Sequence, residues 1–313
     1  MTDFKVSVAM CTYNGEKFLS EQLVSILSQT HSNIEVVICD DGSSDGTVEI
    51  LQQFANSDPR IKLHINQENL GFIKNFEKAL GLCEGNFIAL SDQDDIWFDN
   101  KITVLLDSIG ESSMVYSSVQ LVDENGQLLD AVFPDVRRLQ GRCGLALLLG
   151  NCVTGHACMV RRDFLDVALP IPDGIKAHDQ WLAIIASLSG GLKAESQILS
   201  NYRQHADNVM LNNKKNREDA RWIKKLNSDE LLLRLCHAVS ESGFLDRNEL
   251  ALVADLALLI RNNRHTFYNR KLKQFLLQHR DTFLALYQNQ ERAEKVASRL
   301  SRGDNLLKYL PFI

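Results

Sequence analysis

The first ninety residues alternate between short apolar runs and segments whose apolar residues recur at helical spacing. Runs at 5–11, 34–39, 61–65 and 86–90 have the length and composition of strands, and a helical pattern separates each from the next. Parallel strands need such crossover helices. The β-α-β-α-β-α-β order therefore predicts a doubly wound, mostly parallel sheet.

Two acidic turns follow two of these predicted strands. The strand at 34–39 leads into the turn 40–47, and the strand at 86–90 leads into the turn 91–97. Their carboxylates are Asp40, Asp41, Asp45, Asp92, Asp94 and Asp95. Open α/β sheets bind ligands at the carboxyl ends of their strands. Because Mg²⁺ and Mn²⁺ prefer oxygen ligands and balance clustered carboxylates, the pattern predicts a metal-assisted nucleotide site.

Other nucleotide and metal motifs fit less well. The first turn, Thr12-Tyr13-Asn14, lacks the glycine patterns of Rossmann dinucleotide sites and of P-loops. The turn 40–47 does not make a calcium loop, since Gln52 stands where a bidentate glutamate is needed and a strand precedes the turn. Taken alone, the turn could simply cap a helix.

The composition is that of a globular protein with a real core. Of the 313 residues, 45% are hydrophobic and 24% are charged, which favours one large domain with an appendage. No apolar window approaches the roughly 18 residues of a membrane span, and the N-terminus does not resemble a signal peptide. The seven cysteines form no C-x-x-C pair, so we expect free thiols in a reducing cytosol.

The second half is less regular and ends in helices. Strands are predicted at 113–122, 155–161 and 198–203, and a helix at 180–188. From about residue 215 onward, apolar positions lie three and four apart, which is typical of helices.

Charge is distributed unevenly along the chain. Residues 1–209 carry a net charge of −13, whereas residues 210–313 carry +7. The helical tail mixes basic and large apolar residues at 222–226 and 271–277, and 306–313 is apolar. We therefore expect peripheral membrane contact through this tail, with no nucleic-acid partner. A solvated basic face, packing on the catalytic domain and contact with a second subunit are the alternatives.

Four linked segments resemble family 2 glycosyltransferases, which have the GT-A fold and invert the anomeric centre. The segments are 8–14, 40–45, 69–71 and 92–95, and the resemblance extends over about residues 4–205. It implies a GT-A catalytic domain over 1–206, followed by a mainly α-helical region over 207–313. The segments 91–97, 178–181 and 202–205 further resemble the rhamnosyltransferase-like branch.

The resemblance also implies a cofactor and a donor site. Asp94 would be the direct ligand of Mn²⁺ or Mg²⁺, with Asp92 and His205 as further metal ligands, and Arg203 could neutralise phosphate charge. The implied nucleotide-sugar-binding residues are Thr12, Tyr13, Asn14, Asp40, Asp41, Gly71, Lys74, Asn75, Asp92 and Gly155. Asp41 is the candidate acceptor for the N3–H of uracil or thymine.

On the acceptor side, Asp179 matches the family's catalytic aspartate and would act as general base. A helix N-cap is its structural alternative. His178 and Trp181 are the acceptor-side candidates, with an incidental histidine and a core tryptophan as their alternatives.

These features predict an inverting, metal-dependent glycosyltransferase. It would transfer a sugar, with L-rhamnose as the candidate, from a dTDP-, UDP- or GDP-linked donor to a glycan or lipid-linked acceptor. The setting would be cell-surface polysaccharide synthesis, in the cytoplasm at the inner face of the membrane. A nucleotide-sugar-binding module without turnover and a phosphate-releasing hydrolase are the alternative functions.

Overall fold

The computed structural model describes residues 4–205, 220–263, 266 and 268–302, without the side chains of 131–132 and 220–228. The tail segment 306–313 lies outside the described residues, as do the side chains of 222–226.

The first half alternates strands and helices as predicted. Its elements are β1 Val6–Thr12, α1 Leu19–Leu27, β2 Ile34–Asp40, α2 Thr47–Ser57, β3 Ile61–Ile65, α3 Phe72–Leu82 and β4 Phe87–Ser91. β1 pairs in parallel with both β2 and β4, and β3 joins β2 in parallel at the edge of the sheet. The predicted parallel sheet is confirmed for these four strands.

Both faces of this parallel part are covered. Val8 and Met10 pack in one apolar cluster with Leu23 of α1, whereas Ala9 packs on the other face with Leu80 of α3. Successive side chains on a strand point to opposite faces, so a strand covered on both sides must be apolar throughout. This explains why the strands appear in the sequence as continuous apolar runs.

The second half adds a mixed sheet. Its elements are β5 Ile96–Trp97, α4 Lys101–Ile109, β6 Met114–Val122, β7 Leu128–Phe133, α5 Gly144–Leu147, β8 Cys158–Arg161, α6 Leu165–Ala168, α7 His178–Ser189 and β9 Leu192–Arg203. The strand order is β3-β2-β1-β4-β8-β6-β9-β5, with β7 paired to β6. β8 runs antiparallel to β4 and β6, while β6 and β9 are parallel.

One predicted strand is shorter than expected. The sequence predicts a strand over 155–161, but Gly155–Ala157 forms a 3-10 turn and only Cys158–Arg161 is extended. The turn closes through a hydrogen bond from the backbone N–H of Ala157 to the carbonyl oxygen of Thr154, at 2.9 Å. It directs His156 into the interior, where that residue is 1% exposed.

The described tail helices pack against the part of the chain that precedes them. They are α8 Ala220–Glu241, α9 Arg247–Asn263, α10 Arg270–Gln278, α11 Arg280–Phe283 and α12 Gln290–Leu300. The Tyr287 hydroxyl donates to the carbonyl oxygen of Leu149 at 3.1 Å, and Arg142 pairs with Glu249 at 2.6 Å. Among the described residues, the helices do not combine the length and the hydrophobicity needed to cross a bilayer.

A buried carboxylate supports the end of the sheet at which β2 begins. Glu35 accepts a hydrogen bond from the Ser7 hydroxyl at 2.5 Å and pairs with Lys5 at 2.7 Å and Lys62 at 2.8 Å. Its side chain is only 4% exposed. Burial alone would raise the pKa of Glu35, but the two lysines and Ser7 lower that pKa to about 2.

We expect the substitution Glu35→Gln to lower the free energy of unfolding by roughly 2 kcal/mol near pH 7. The folded-state pKa lies below the unfolded one, so this stabilisation is present above about pH 4.5 and is lost as the pH falls toward 2. Urea unfolding of both proteins between pH 7 and pH 3 would measure the difference. A difference that does not shrink with acidification would contradict this assignment.

Candidate active site

Two neighbouring strands bring the first polar residues of the site together. Thr12 ends β1 and Asp40 ends β2, and the two residues are partners in the parallel register. The Thr12 hydroxyl donates to Asp40 Oδ2 at 2.8 Å. The backbone N–H and the hydroxyl of Ser43 donate to the same carboxylate at 2.9 and 2.6 Å. Asp40 is buried and shapes the turn that follows β2.

The first two turns are linked directly to each other. Asn14 has a φ of 50°, a left-handed conformation that asparagine tolerates better than most residues. Its side-chain oxygen accepts the N–H of Ser44 at 2.8 Å, and its own N–H donates to the Ser43 hydroxyl at 2.9 Å. Tyr13 beside it is 50% exposed.

Asp41 organises the second loop of the site. Its Oδ1 accepts from the Asn66 side chain and from the N–H of Leu70, both at 2.8 Å, and its Oδ2 accepts from the N–H of Gly71 at 2.9 Å. Gly71 has a φ of +80°, which favours glycine. The predicted nucleotide-binding carboxylate therefore also holds the loop before α3 in place.

The two side chains predicted from α3 differ in exposure. Asn75 is 1% exposed, and its amide donates to the carbonyl oxygen of Cys39 at 2.8 Å. Lys74 is partly exposed and lies 3.2 Å from Glu77. Asn75 thus anchors the helix to β2, whereas Lys74 is accessible to a ligand.

Gln93 joins the acidic turn 91–97 to the first turn. Its side-chain oxygen accepts from the N–H of Tyr13 at 2.8 Å, and its amide donates to the carbonyl oxygen of Tyr13 at 3.1 Å. A Cβ atom at Gly15 would lie 2.4 Å from that side-chain oxygen. We call these contacts the Tyr13–Gln93 clamp.

Asp94 and His205 meet at the end of β9. His205 Nε2 lies 2.7 Å from Asp94 Oδ2, and the two side chains are 10% and 13% exposed. Arg203 donates from Nε to the carbonyl oxygen of Asp94 at 3.0 Å and pairs with Glu21 at 2.5 Å. The structure brings together two of the three predicted metal ligands. The Arg203 guanidinium, which the sequence predicts near a phosphate, contacts Asp94 and Glu21.

The third predicted metal ligand lies in a neighbouring group. Asp92, Asp95 and His156 offer ligand atoms that all lie within 4.8 Å of one another. His156 Nδ1 is 2.9 Å from Asp95 Oδ2 and 3.6 Å from Asp92 Oδ2. Asp92 is 42% exposed, whereas Asp95 and His156 are 0% exposed. Only Asp92 of the three can therefore reach a ligand without rearrangement.

The charges in this group influence one another. Burial raises the pKa of Asp95. Burial alone would lower the pKa of His156, but Asp95 and Asp92 raise that pKa on balance. Burial likewise opposes ionisation of Asp92, yet the imidazole beside it lowers the pKa of this carboxyl. The two carboxylates thus favour the charged form of the His156 imidazole, whereas burial opposes it.

Asp179 stands at the start of α7, where the sequence predicts it. Its Oδ2 accepts from the Asn151 amide at 3.1 Å, and its Oδ1 accepts from the N–H of Gln180 at 2.8 Å. Burial raises the pKa of Asp179, and the charge of Asp92 acts in the same direction. A Cβ at Gly155 would lie 3.2 Å from His178 Nε2 and 3.6 Å from Asp179 Cβ, so Gly155 lets the 3-10 turn lie close against the start of α7.

The two acceptor-side candidates are buried. His178 stacks on Phe76 with ring centroids 4.1 Å apart, and neither of its ring nitrogens has a hydrogen-bond partner among the described residues. Burial lowers the pKa of His178. Trp181 is 4% exposed and donates from Nε1 to the carbonyl oxygen of Ala168 at 2.9 Å. The structure thus places Trp181 in the core.

Sequence reasoning assigned no individual role to four residues that support this site. They are Gln93, Lys101, Asn151 and His156. Lys101 is fully buried, donates to the carbonyl oxygen of His156 at 2.6 Å and lies over the Trp97 ring, 3.8 Å from its centroid. Helix α4, which carries Lys101, was not among the predicted elements. A lysine on an otherwise apolar helical face is the signal that was available.

Comparisons with known proteins give the family and the fold. A family model described as Glycosyl transferase family 2 matches residues 7–167, which is just over half of the chain. In Escherichia coli, UDP-Glc:alpha-D-GlcNAc-diphosphoundecaprenol beta-1,3-glucosyltransferase WfgD is 35% identical over 153 residues, covering 47% of this chain and 60% of WfgD. The chain spans about a third to two thirds of the length of the curated relatives that it matches.

Two solved structures share the fold. The crystal structure of S. aureus TarS 1-349 in complex with UDP-GlcNAc superposes with a TM-score of 0.61 at 21% identity, covering 95% of this chain and 89% of that one. The mannosyltransferase PcManGT from Pyrobaculum calidifontis, in complex with GDP-Man and Mn²⁺, superposes with a TM-score of 0.56 at 16% identity, covering 95% of this chain and 85% of that one. The predicted GT-A fold with a helical C-terminal region is confirmed. On the family match, the chain belongs to glycosyltransferase family 2.

Proposed function

We propose that this protein is an inverting glycosyltransferase that moves a sugar from a nucleoside-diphosphate donor to an acceptor hydroxyl. The observation that carries this proposal is the placement of Asp179, whose pKa is raised by burial and by the charge of Asp92. A carboxylate of raised pKa beside an acidic turn suits a general base near neutral pH. Three similar proteins support a nucleotide-sugar donor. WfgD is named for UDP-Glc, TarS was solved with UDP-GlcNAc, and PcManGT was solved with GDP-Man.

The nucleoside would lie against the first two turns. Tyr13 is half-exposed and offers an aromatic face, while Thr12, Asn14 and Asp40 hold the turn backbones rigid. Asp41 retains acceptor capacity beyond its three hydrogen bonds, since a carboxylate has about four lone-pair sites. Lys74 is the accessible cation beside this loop and would meet a phosphate.

The ligand chemistry of three side chains suits a divalent cation. Asp94, Asp92 and His205 supply carboxylate and imidazole ligands, which suit Mn²⁺ well, and Asp92 is exposed enough to be shared with a diphosphate. Asp95 and His156 are too buried to share a ligand with the donor. When bound, Mn²⁺ or Mg²⁺ supplies charge neutralisation for the departing diphosphate.

Asp179 would accept the proton of the acceptor hydroxyl. The acceptor oxygen then attacks the anomeric carbon as the carbon–oxygen bond to the diphosphate breaks, which inverts that carbon. Asn151 fixes the orientation of Asp179 through Oδ2, and Gly155 leaves room between the base and the donor sugar. His178, buried against Phe76, keeps the base in place rather than contacting the acceptor.

The finer assignments are proposals. L-rhamnose is the candidate donor sugar, on the resemblance of three motif segments to the rhamnosyltransferase-like branch. A glycan or lipid-linked acceptor in cell-surface polysaccharide synthesis is proposed because WfgD is named for a diphosphoundecaprenol-linked acceptor. An enzyme using such an acceptor would work in the cytoplasm at the inner face of the membrane, with residues 1–206 as its catalytic domain.

We expect Asp179→Asn to lower kcat by about 10²–10⁴-fold, because the amide cannot take the acceptor proton.

We expect Asp94→Asn to abolish the stimulation of turnover by Mn²⁺ or Mg²⁺. Release of nucleoside diphosphate from UDP-, GDP- and dTDP-sugars, dTDP-L-rhamnose included, would be measured with and without metal. Asp166→Asn, an exposed aspartate on α6, is the matched control. Donor binding without turnover would favour the binding module, and release of inorganic phosphate would favour a hydrolase.

We expect Gly15→Ala to weaken nucleoside-diphosphate binding about tenfold, since overpacking costs roughly 1–3 kcal/mol. The new Cβ would lie 2.4 Å from the Gln93 side-chain oxygen and would force the Tyr13–Gln93 clamp open. Calorimetric titration with UDP, GDP and dTDP would measure the change. Gly81→Ala is the matched control, since its Cβ meets nothing within 4 Å. Equal affinities in both variants would remove the clamp from the donor site.

We expect the full chain to float with vesicles that contain anionic lipid and to float less with neutral ones. Exposed cations on α9 and α10 carry this expectation, among them Arg261 and Lys271. The double variant Arg261→Glu and Lys271→Glu should lose most of the flotation. Lys193→Glu, a single charge reversal at an exposed position of β9, should retain the flotation. Unchanged flotation of the double variant would rule out this surface.

A further inference from the structure

Asp95 is the carboxylate of the acidic turn 91–97 to which the proposed reaction assigns no role. Its side chain is 0% exposed, so it cannot touch a donor, although it adjoins Asp94 in the chain. Burying a charged carboxylate is costly unless it is paired and hydrogen-bonded. Its contacts therefore indicate what the charge does.

Those contacts join three separate segments. Asp95 Oδ2 lies 2.9 Å from His156 Nδ1 on the 3-10 turn Gly155–Ala157. Asp95 Oδ1 accepts the backbone N–H of Arg203 at 3.3 Å, at the end of β9. A single buried carboxylate thus connects the acidic turn, the 3-10 turn and the strand that leads to His205.

The same contacts extend to Asp92 and Asp94, two of the proposed metal ligands. His156 Nδ1 also lies 3.6 Å from Asp92 Oδ2. Arg203, whose N–H is held by Asp95, donates from Nε to the Asp94 carbonyl oxygen. His156 is in turn held from behind, since the buried Lys101 donates to its carbonyl oxygen. Asp92 therefore contacts the Asp95–His156 pair directly, and Asp94 is joined to it through Arg203. His205 is joined to this group through its contact with Asp94.

We propose that Asp95 and His156 form a buried positioning pair that fixes Asp92 and Asp94 relative to His205 and thereby sets the affinity of this turn for a divalent cation. This inference rests on the proposed function only in that the turn binds a cation. Residues that orient metal ligands from behind typically change metal affinity by about 10–100-fold when they are replaced.

The test measures Mn²⁺ binding by calorimetric titration, without donor or turnover. We expect Asp95→Asn and His156→Gln to raise the Kd for Mn²⁺ by about tenfold or more. His156→Asn should stay much closer to wild type, because an asparagine amide lies near the position of Nδ1, the atom that faces Asp95. A glutamine amide extends beyond that position.

A second buried ion pair provides the control for lost stability. Glu35→Gln breaks the pairing with Lys5 and Lys62 at the other end of the sheet and should leave the Kd for Mn²⁺ unchanged. Thermal unfolding of each variant would verify that it is folded. If wild type binds Mn²⁺ and the Asp95 and His156 variants bind it equally well, the positioning role is wrong while the metal site stands. If wild type does not bind Mn²⁺, the metal assignment fails and this inference fails with it.

Discussion

The negative charge at the carboxyl end of the sheet must be balanced, and the chain does much of this with its own donors. Hydroxyl and backbone N–H groups hold Asp40, and the backbone of the loop before α3 holds Asp41. Imidazoles lie against Asp94 and Asp95. Apart from Ser43, which lies in the same turn as Asp40, these donors come from other segments of the chain than the carboxylates they contact. Balancing the charge therefore also fixes the turns relative to one another, and a polar site fixed in this way is preorganised.

The two ends of the sheet balance buried carboxylates in different ways. Glu35 is paired with lysines that are 36% and 41% exposed, whose long side chains can move without disturbing the strands. Asp95 is paired with a histidine that is itself fully buried. Flexible partners stabilise a fold but do not define positions. Rigid partners define positions, which is what a site needs if it must hold a cation and a leaving group at set distances.

The parallel half of the fold and its turns were predictable because their signals are local. A continuous apolar run followed by aspartates predicts a buried strand and a polar strand end, and β2 and β4 match this expectation. β5 has only two residues and depends on pairing with β9, so it is too short for a hydrophobic pattern in the sequence to predict it. The contact between His156 and Asp95 could not be predicted either, because the two residues are far apart in the sequence and meet only where β8 lies between β4 and β6. Local pattern thus predicted the polar side chains at the strand ends, whereas the contacts behind them required the tertiary structure.

The apolar core is continuous from the sheet into the tail. One cluster contains Ala9 of β1, Ile184 of α7 and Val253 of α9, so the proposed boundary near residue 206 separates regions that share an interior. The start of α7, which carries Asp179, is therefore supported from behind by helices that follow it in the chain. Changes in the tail can accordingly shift Asp179, the proposed general base, without touching the proposed donor site, and the tail offers a route by which acceptor chemistry could diverge while the turns after β1 and β2 stay the same.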